Sequence, residues 1–309
     1  MALNYKNPAI IYNPNAAGGK ARTMFNDYYD KLKESGLFKD IAVFASETKE
    51  DSIKAVDTIC ASKERDLIIT VGGDGTISTV VNALMKLDKS KRLPIFPIPS
   101  GSGNSLLRDF NALTFDDAIN NYKKAENTEK FDLLFVEEIE GNFKYYCINV
   151  LGMGFVSDIV VSVLKFNKKF GALSYFIGVF SSLGKFKPYD TKIVYDGGTK
   201  EYKSKKVFFL TVSNTKRSGG GVIIAPEAHH NDGLMDVIIL HDISRFKFLK
   251  GFLKAFKGKH TKDKGCEYIK TNSLEIHASP KFYLMPDGEL EGSSPVRVSI
   301  KRNEVELIV

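Results

Sequence analysis

Three glycine-rich loops contain the residues of this sequence whose types and spacing fit phosphate chemistry. An apolar stretch at 67–71 runs through Gly72-Gly73-Asp74-Gly75-Thr76 into a helix-like stretch. Glycine lacks a Cβ, so its N–H group can approach an anion closely, and a helix start adds further N–H donors. Among these donors Asp74 is expected to take a proton from an attacking hydroxyl or to hold a magnesium ion. The alternative is a tight turn in which Asp74 caps the following helix.

The order of strand, glycine loop and helix occurs twice more. The stretch 8–12 leads into Asn13 and Gly18-Gly19-Lys20, and the stretch 94–99 leads into Ser100-Gly101-Ser102-Gly103-Asn104. In a parallel sheet the strand-to-helix loops emerge at one edge, so the three loops are expected to form one crevice. Neither the Walker spacing nor the dinucleotide fingerprint is present, which indicates a kinase-like nucleotide site of another kind.

The elements around these loops predict two domains. Up to residue 125, short apolar strands alternate with charged helical stretches, which indicates an α/β domain with a mostly parallel sheet. After the polar segment 123–130, many strands with few helices predict a β-sandwich domain over 131–309. The alternation of apolar residues at 296–300 and again at 305–309 predicts a closing hairpin.

Two helical stretches interrupt the predicted β domain. Residues 246–257 place phenylalanine and leucine on one face and lysine on the other, a pattern that suits either an anionic bilayer or packing on the sandwich. The stretch 160–184 has more aromatic residues than one covered helix face needs, so we expect it to form the wall or lip of an acyl-chain pocket.

Composition limits the class of protein and its partners. The 309 residues carry a net charge of +7, which favours an anionic partner. No nucleic-acid-binding motif is recognisable, so a phospholipid surface is the better candidate. The three cysteines lie far apart, and no signal peptide or membrane-spanning stretch is evident, so we expect a cytoplasmic protein that is peripheral at the membrane.

The motifs of the chain resemble those of the diacylglycerol kinase catalytic domain family. This family includes bacterial lipid kinases and the sphingosine and ceramide kinases, and its fold is related to those of NAD kinases and phosphofructokinases. The resemblance covers nearly the whole chain, because the three loops are followed in family order by Gly152-Met153-Gly154-Phe155, Asn231-Asp232-Gly233-Leu234-Met235-Asp236 and Asp287-Gly288-Glu289.

The resemblance implies an ATP-dependent lipid kinase that uses Mg²⁺ and has its active site between the two domains. Asp74 and Asp287 compete for the role of base, and Glu289 accompanies Asp287 in the catalytic set. The implied nucleotide contacts are Asn13, Gly19, Lys20, Gly72, Gly73, Gly75, Thr76, Ser100, Gly101, Ser102, Gly103 and Asn104.

Other implied sites concern the metal and the lipid. Asp232 and Asp236 resemble a structural magnesium site, although Asn231 replaces an acidic residue; the alternative is a plain Asp-Gly turn. Phe155 and Asp158 resemble the lipid-binding positions, and the spacing of Asp158 is closer to that of sphingosine kinases, so the acceptor is diacylglycerol or a sphingoid or ceramide-like lipid. Asp158 can equally be an acid at a helix N-terminus.

Two rival functions and one question of assembly stay open at this stage. The rivals are an NAD kinase-like phosphotransferase with a soluble acceptor and a lipid-binding protein without turnover. The expected partners are ATP and a lipid substrate at an anionic membrane surface, with no nucleic acid. Homodimer formation is left open.

Overall fold

The computed structural model describes residues 3–15, 21–101, 103–158, 186–219 and 221–309. The chain forms two compact units. The first comprises Met1–Leu133, Gly219–Gly221 and Arg302–Val309, and the second comprises Leu134–Ser218 and Val222–Lys301. The C-terminal segment therefore belongs to the first unit, whereas the sequence placed it in the second domain.

A parallel sheet forms the centre of the first unit. Its strands pair in the order β4-β3-β1-β2, and every pairing is parallel. β1, β3 and β4 are buried throughout, which explains why they read as continuous apolar runs rather than alternating ones. The strands are β1 (Pro8–Tyr12), β2 (Ala42–Ala45), β3 (Leu67–Gly72) and β4 (Ile95–Pro99).

Helices connect these strands and cover the sheet. Two of them begin at a capping box. In each, the threonine hydroxyl accepts the backbone N–H of an aspartate three residues later, and the carboxylate of that aspartate accepts the backbone N–H of the threonine. The pairs are Thr48 with Asp51 and Thr114 with Asp117. These side chains fix where the helices start. The helices of this unit are α1 (Ala21–Glu34), α2 (Lys49–Ala61), α3 (Asp74–Leu84), α4 (Ser105–Arg108) and α5 (Phe115–Lys124).

The second unit is built mainly from antiparallel strands. β9 is the longest of its strands and pairs with β12, β8 and β7, so it links most of the sheet. Inward-facing aliphatic side chains such as Leu210, Val237 and Ile276 form its core. The strands are β5 (Glu129–Glu138), β6 (Lys144–Cys147), β7 (Val150–Gly154), β8 (Tyr189–Tyr195), β9 (Lys200–Ser213), β10 (Arg217–Ser218), β11 (Val222–Ile223), β12 (Met235–His241), β13 (Cys266–Thr271), β14 (Ser273–Ser279), β15 (Leu284–Pro286) and β16 (Val296–Leu307).

The predicted closing hairpin is wrong, because residues 296–307 form the single strand β16. Its first half pairs antiparallel with β14 in the second unit, and Leu307 pairs in parallel with Ile95 in the first. Asn303 has a φ of 52°, and its N–H donates to Asp132 Oδ1 at 2.7 Å. Before this irregular residue the buried side chains of β16 stand at even-numbered positions, and after it they stand at odd-numbered positions. A turn between two strands would give the same sequence pattern.

Helix α6 (Arg245–Ala255) confirms the helix predicted near residues 246–257. It starts at Ser244, whose hydroxyl accepts the N–H of Lys247 at 3.3 Å. The other predicted helical stretch, 160–184, lies outside the described residues. Among the residues that the structure does describe, no helix is both long and apolar enough to cross a membrane.

Candidate active site

Asp74 joins the second glycine loop to the third. It is the first residue of α3, where Gly73 occupies the cap position and provides no side-chain cap. The two carboxylate oxygens of Asp74 instead accept the N–H groups of Ser105, at 2.8 Å, and Leu106, at 3.1 Å. Asp74 therefore caps α4 and not its own helix. The sequence offered a cap of the following helix as an alternative, and the structure shows a contact between the two loops instead.

The glycines of these two loops allow the backbones to touch. A Cβ on Gly101 would lie 2.5 Å from the Cα of Gly73, and a Cβ on Gly103 would lie 3.2 Å from Asp74 Oδ2. A Cβ on Gly72 would overlap the side chain of Thr76. Since backbone atoms cannot yield, glycine at position 101 is a packing requirement of the joined loops.

The third loop holds polar atoms that find no partner among the described residues. Asn104 adopts the left-handed conformation, with a φ of 47°, and its Nδ2 donates to Gly101 O at 2.8 Å. Its Oδ1 is buried and accepts no hydrogen bond from that part of the chain, and the same is true of Ser100 Oγ. Because a buried unpaired polar atom is costly, these two atoms are suited to a bound polar ligand.

Arg108 is a candidate site residue that the sequence reasoning missed. Its Nε donates to Gly103 O at 3.0 Å, and a Cβ on Gly221 would lie 3.4 Å from its Cδ. The side chain thus places a guanidinium beside the third loop, and guanidinium groups bind phosphate through a planar set of donors. Its signal in the sequence is a basic residue four positions after Asn104, about one helical turn beyond the glycines.

The first loop is described only in part. Asn13 Oδ1 accepts the N–H of Asn15 at 2.8 Å, so this side chain shapes the turn after β1. Gly19 and Lys20 lie outside the described residues, as does Ser102 of the third loop. Gly75 belongs to the first turn of α3, and Thr76 donates its N–H to Gly73 O at 3.0 Å.

In the second unit, the connection between β6 and β7 binds the carboxylate of Asp287. Its Oδ1 accepts the N–H of Asn149 at 2.8 Å and the thiol of Cys147 at 3.1 Å, and its Oδ2 accepts the N–H of Ile148 at 3.1 Å. Asp287 has a φ of 49°, and Glu289 donates its N–H to Pro286 O within the same turn. Burial raises the pKa of Cys147 well above its usual range, and the charge of Asp287 adds to this rise, so Cys147 is a neutral donor.

Asp158 and Phe155 follow β7 in a helical turn at 155–158. The Tyr189 hydroxyl lies 2.9 Å from both oxygens of Asp158. Burial raises the pKa of Asp158, and the hydrogen bond from Tyr189 opposes that rise. Phe155 is buried against the rings of Phe186 and Phe208, so among the described residues it serves the packing of the second unit.

Asp236 is the buried member of the pair that the sequence predicts to hold a hard cation, the other member being Asp232. It is fully buried at the start of β12, where its Oδ1 accepts the Tyr268 hydroxyl at 2.6 Å and lies 3.4 Å from Lys270 Nζ. Its Oδ2 finds no donor among the described residues. Burial raises the pKa of Asp236, and the nearby charge of Asp232 adds to the rise. An oxygen with no donor beside a second carboxylate fits a hard cation, although the described residues bring no third acidic, histidine or cysteine ligand.

Comparison with known proteins identifies the family. Residues 7–136 match the model of the diacylglycerol kinase catalytic domain, and residues 149–309 match that of the YegS C-terminal NAD kinase beta sandwich-like domain. The chain is 30% identical over 291 residues to a diacylglycerol kinase of Bacillus subtilis, covering 94% of this chain and 92% of the relative. This chain belongs to the diacylglycerol kinase catalytic domain family.

Solved structures of low identity support the fold. A crystal structure of a diacylglycerol kinase from Bacillus anthracis has a TM-score of 0.74 at 20% identity and covers 99% of this chain and 97% of its own. Yeast NADH kinase has a TM-score of 0.52 at 11% identity and covers 99% of this chain and 83% of its own. The predicted fold class, an α/β N-terminal part and a C-terminal β-sandwich, is confirmed. The family is one of kinases, so its reaction class is phosphotransfer.

Proposed function

We propose that this member of the diacylglycerol kinase catalytic domain family transfers the γ-phosphoryl group of ATP to a hydroxyl of a membrane lipid. The observation that carries the proposal is the contact of Asp74 with Ser105 and Leu106, which joins two glycine loops around unpaired buried atoms of Ser100 and Asn104. A triphosphate needs N–H and hydroxyl donors, and the Ser100 hydroxyl is a candidate donor. Asn104 Oδ1 can only accept a hydrogen bond from a hydroxyl or amino group of the nucleotide. The N–H groups of Ser105 and Leu106 are already bound by Asp74. The named relatives support a lipid as the acceptor.

In the proposed reaction the lipid hydroxyl oxygen attacks the γ-phosphorus, the bond from that phosphorus to the bridging oxygen breaks, and ADP leaves. The hydroxyl proton passes to a carboxylate, for which Asp74 and Asp287 are the candidates. Both carboxylates are fixed by backbone N–H groups, so neither has to reorganise before the reaction. Arg108, and Lys20 by family resemblance, would balance the charge of the phosphates.

The proposal includes Mg²⁺ held by Asp232 and Asp236. When bound, the ion would add to the positive charge that Lys270 already places beside the buried carboxylate of Asp236, and it would fix the turn before β12. We expect Mg²⁺ to raise the thermal unfolding temperature of the unmodified chain and to have a much smaller effect on Asp236→Asn. Glu275→Gln, a change of the same kind at a surface ion pair, is the control and should respond as the unmodified chain does. An equal rise in all three proteins would show that the ion binds elsewhere.

Two classes of lipid acceptor stay open within this proposal, and Asp158 is the residue that distinguishes them. A carboxylate can bind the ammonium and hydroxyl groups of a sphingoid base through charge-assisted hydrogen bonds, whereas diacylglycerol offers one hydroxyl and ester carbonyls. Diacylglycerol is favoured by the names of the relatives, and a sphingoid or ceramide-like lipid by the position of Asp158. Both are membrane lipids, so the proposed place of action is the cytoplasmic surface of an anionic membrane.

A transfer assay with radiolabelled ATP tests the function. The acceptors are diacylglycerol, monoacylglycerol, a sphingoid base, ceramide, an undecaprenol-type alcohol and NAD, each offered with Mg²⁺. We expect label in at least one lipid and none in NAD. Label in NAD alone would establish an NAD kinase-like enzyme, and no transfer to any acceptor despite lipid binding would establish a binding protein.

A further inference from the structure

Helix α6 presents apolar side chains in two directions. Phe248 packs on the second unit, with its ring centroid 4.6 Å from that of Phe208 and 5.1 Å from that of Phe155. In contrast, Phe246, Leu253 and Phe256 are 66%, 70% and 47% exposed. A helix that only covered the sandwich would need apolar side chains on its packed face alone. The exposed apolar side chains therefore require a separate explanation.

The exposed apolar residues lie within a strongly basic segment. Between Ser244 and Lys264 the only acidic residue is Asp263, which forms an ion pair with Lys254 at 2.5 Å. In the described part of the chain, the Nζ atoms of Lys247 and Lys257 have no carboxylate within ion-pair distance. The basic residues of the segment are Arg245, Lys247, Lys250, Lys254, Lys257, Lys259, Lys262 and Lys264.

A cleft beside the helix combines both kinds of group. Its volume is about 240 Å³. Ammonium groups and apolar carbons line the same walls, and the one lining carboxylate among the described residues, Asp263, is paired with Lys254, so the cleft suits an amphiphile with an anionic head and methylene groups behind it. The lining includes Leu240, Ile243, Lys247, Phe248, Lys250 and Lys264.

We propose that the surface formed by α6 and residues 256–264, here called the α6 surface, docks on an anionic phospholipid bilayer. Phe246, Leu253 and Phe256 enter the headgroup region, and the lysines contact lipid phosphates. The partner follows from charge complementarity combined with exposed apolar groups. A second copy fits poorly, because a two-fold contact of this surface with itself would bring its lysines together. The inference rests on the proposed function for its purpose, since a lipid kinase must reach its acceptor in a bilayer.

Vesicle flotation of the full chain without ATP tests the docking. The vesicles contain phosphatidylcholine alone or with about one third phosphatidylglycerol, at low and at high salt. We expect binding only to the anionic vesicles at low salt. The triple variant Lys247→Gln, Lys250→Gln, Lys257→Gln should weaken this binding by about a hundredfold, since each lysine near an anionic surface favours binding by roughly fivefold.

Two further variants separate charge from insertion. The matched control Lys63→Gln, Lys86→Gln, Lys124→Gln removes the same charge from exposed positions of the first unit and should bind almost as the unmodified chain does. Phe246→Ser with Leu253→Ser should lose at least about tenfold in binding while keeping the unfolding temperature, because both side chains are largely in water.

The outcomes distinguish this inference from the proposed function. Equal losses in both lysine triples, or no binding of the unmodified chain to anionic vesicles, would overturn the docking even if the chain phosphorylates a dispersed short-chain lipid. Binding that depends on α6 in a protein without kinase activity would uphold the docking and refute the function. Self-association that the α6 variants abolish, or binding to RNA in place of vesicles, would identify a different partner and also overturn it.

Discussion

At the residue scale, Asp74 offers the sharpest test of the active site. Asparagine at this position keeps one acceptor oxygen but turns an NH₂ group toward a backbone N–H that Asp74 now binds. We expect Asp74→Asn to lower kcat by about 100-fold or more. We expect it to lower the free energy of unfolding by about 1–3 kcal/mol, because one N–H of α4 loses its acceptor. Steady-state kinetics and urea unfolding measure the two effects.

The same kinetics identify the base. If Asp287 accepts the proton, Asp287→Asn should lose the acid limb of the pH–rate profile, while residual activity of Asp74→Asn keeps it; the reverse result would assign the base to Asp74. Cys147→Ala is the control, because it removes one donor to Asp287 and leaves the carboxylate in place. More than about a tenth of the original rate in both aspartate variants would contradict a base role for either.

Asp158 can be tested separately from turnover. If the acceptor carries an amino group, Asp158→Ala should raise its KM by about tenfold to a hundredfold and leave the KM for ATP almost unchanged. Tyr189→Phe is the comparison, because it removes the hydroxyl that binds Asp158 and keeps the carboxylate. If both variants lower stability alike and neither changes KM, Asp158 stabilises the fold and does not select the lipid.

The chemical role of Asp74 stays a prediction from the sequence, and its contact could not be predicted. A carboxylate among glycines suits either a phosphate site or a helix cap. Its actual partners, Ser105 and Leu106, lie 31 and 32 positions later in the chain. Sequence spacing gives no register between two loops, so a contact set by the parallel pairing of β3 with β4 could not be foreseen.

At the scale of elements, the third loop depends on glycine at position 101. Gly101→Ala should separate the second and third loops, because its Cβ would lie 2.5 Å from the Cα of Gly73. We expect a loss of about 1–3 kcal/mol in the free energy of unfolding and weaker ATP binding, measured by urea unfolding and titration calorimetry. Gly251→Ala is the matched control: no atom lies within 4 Å of the added Cβ in helix α6, so that variant should be as stable or more stable. Unchanged ATP affinity in Gly101→Ala would contradict the joined-loop site.

In strand β16 the alternation of apolar residues was recognised correctly, but the hairpin predicted from it was wrong. Val296 and Val298 are buried on one parity and Val305 and Leu307 on the other. A change of parity normally marks a turn, but one residue in a left-handed conformation, Asn303, produces the same change within a continuous strand. Only the pairing partners, β14 for one half and Ile95 for Leu307, distinguish the two cases, and these are contacts distant in sequence.

At the scale of the whole molecule, composition predicts a class of partner but does not predict how the surface is arranged. The excess of positive charge pointed to an anionic surface, and the structure adds that the basic segment 245–264 also exposes apolar groups. Which apolar residues of α6 are covered depends on the shape of the second unit, for example on where Phe155 and Phe208 lie. Periodicity predicted the helix, but a hydrophobic pattern alone does not distinguish a covered face from an exposed one.

One buried imidazole should make the stability of the chain depend on pH near neutrality. His260 is buried, and burial lowers its pKa from the usual 6.5, although the backbone of Ile224 and the charge of Asp263 oppose this. The unfolded chain therefore binds a proton that the folded chain does not, so the free energy of unfolding should fall as the pH drops through about 6.5. Asp51 and Asp117 have lowered pKa values, and their contribution to stability is lost only as the pH falls below about 4, outside this window.

Urea unfolding between about pH 7.5 and 5.5 measures how the free energy of unfolding changes with pH. We expect a fall toward pH 5.5 in the unmodified chain, a smaller fall in His260→Gln, and an unchanged fall in His277→Gln, whose side chain is 45% exposed. Parallel slopes in all three proteins would show that His260 is not the group that titrates.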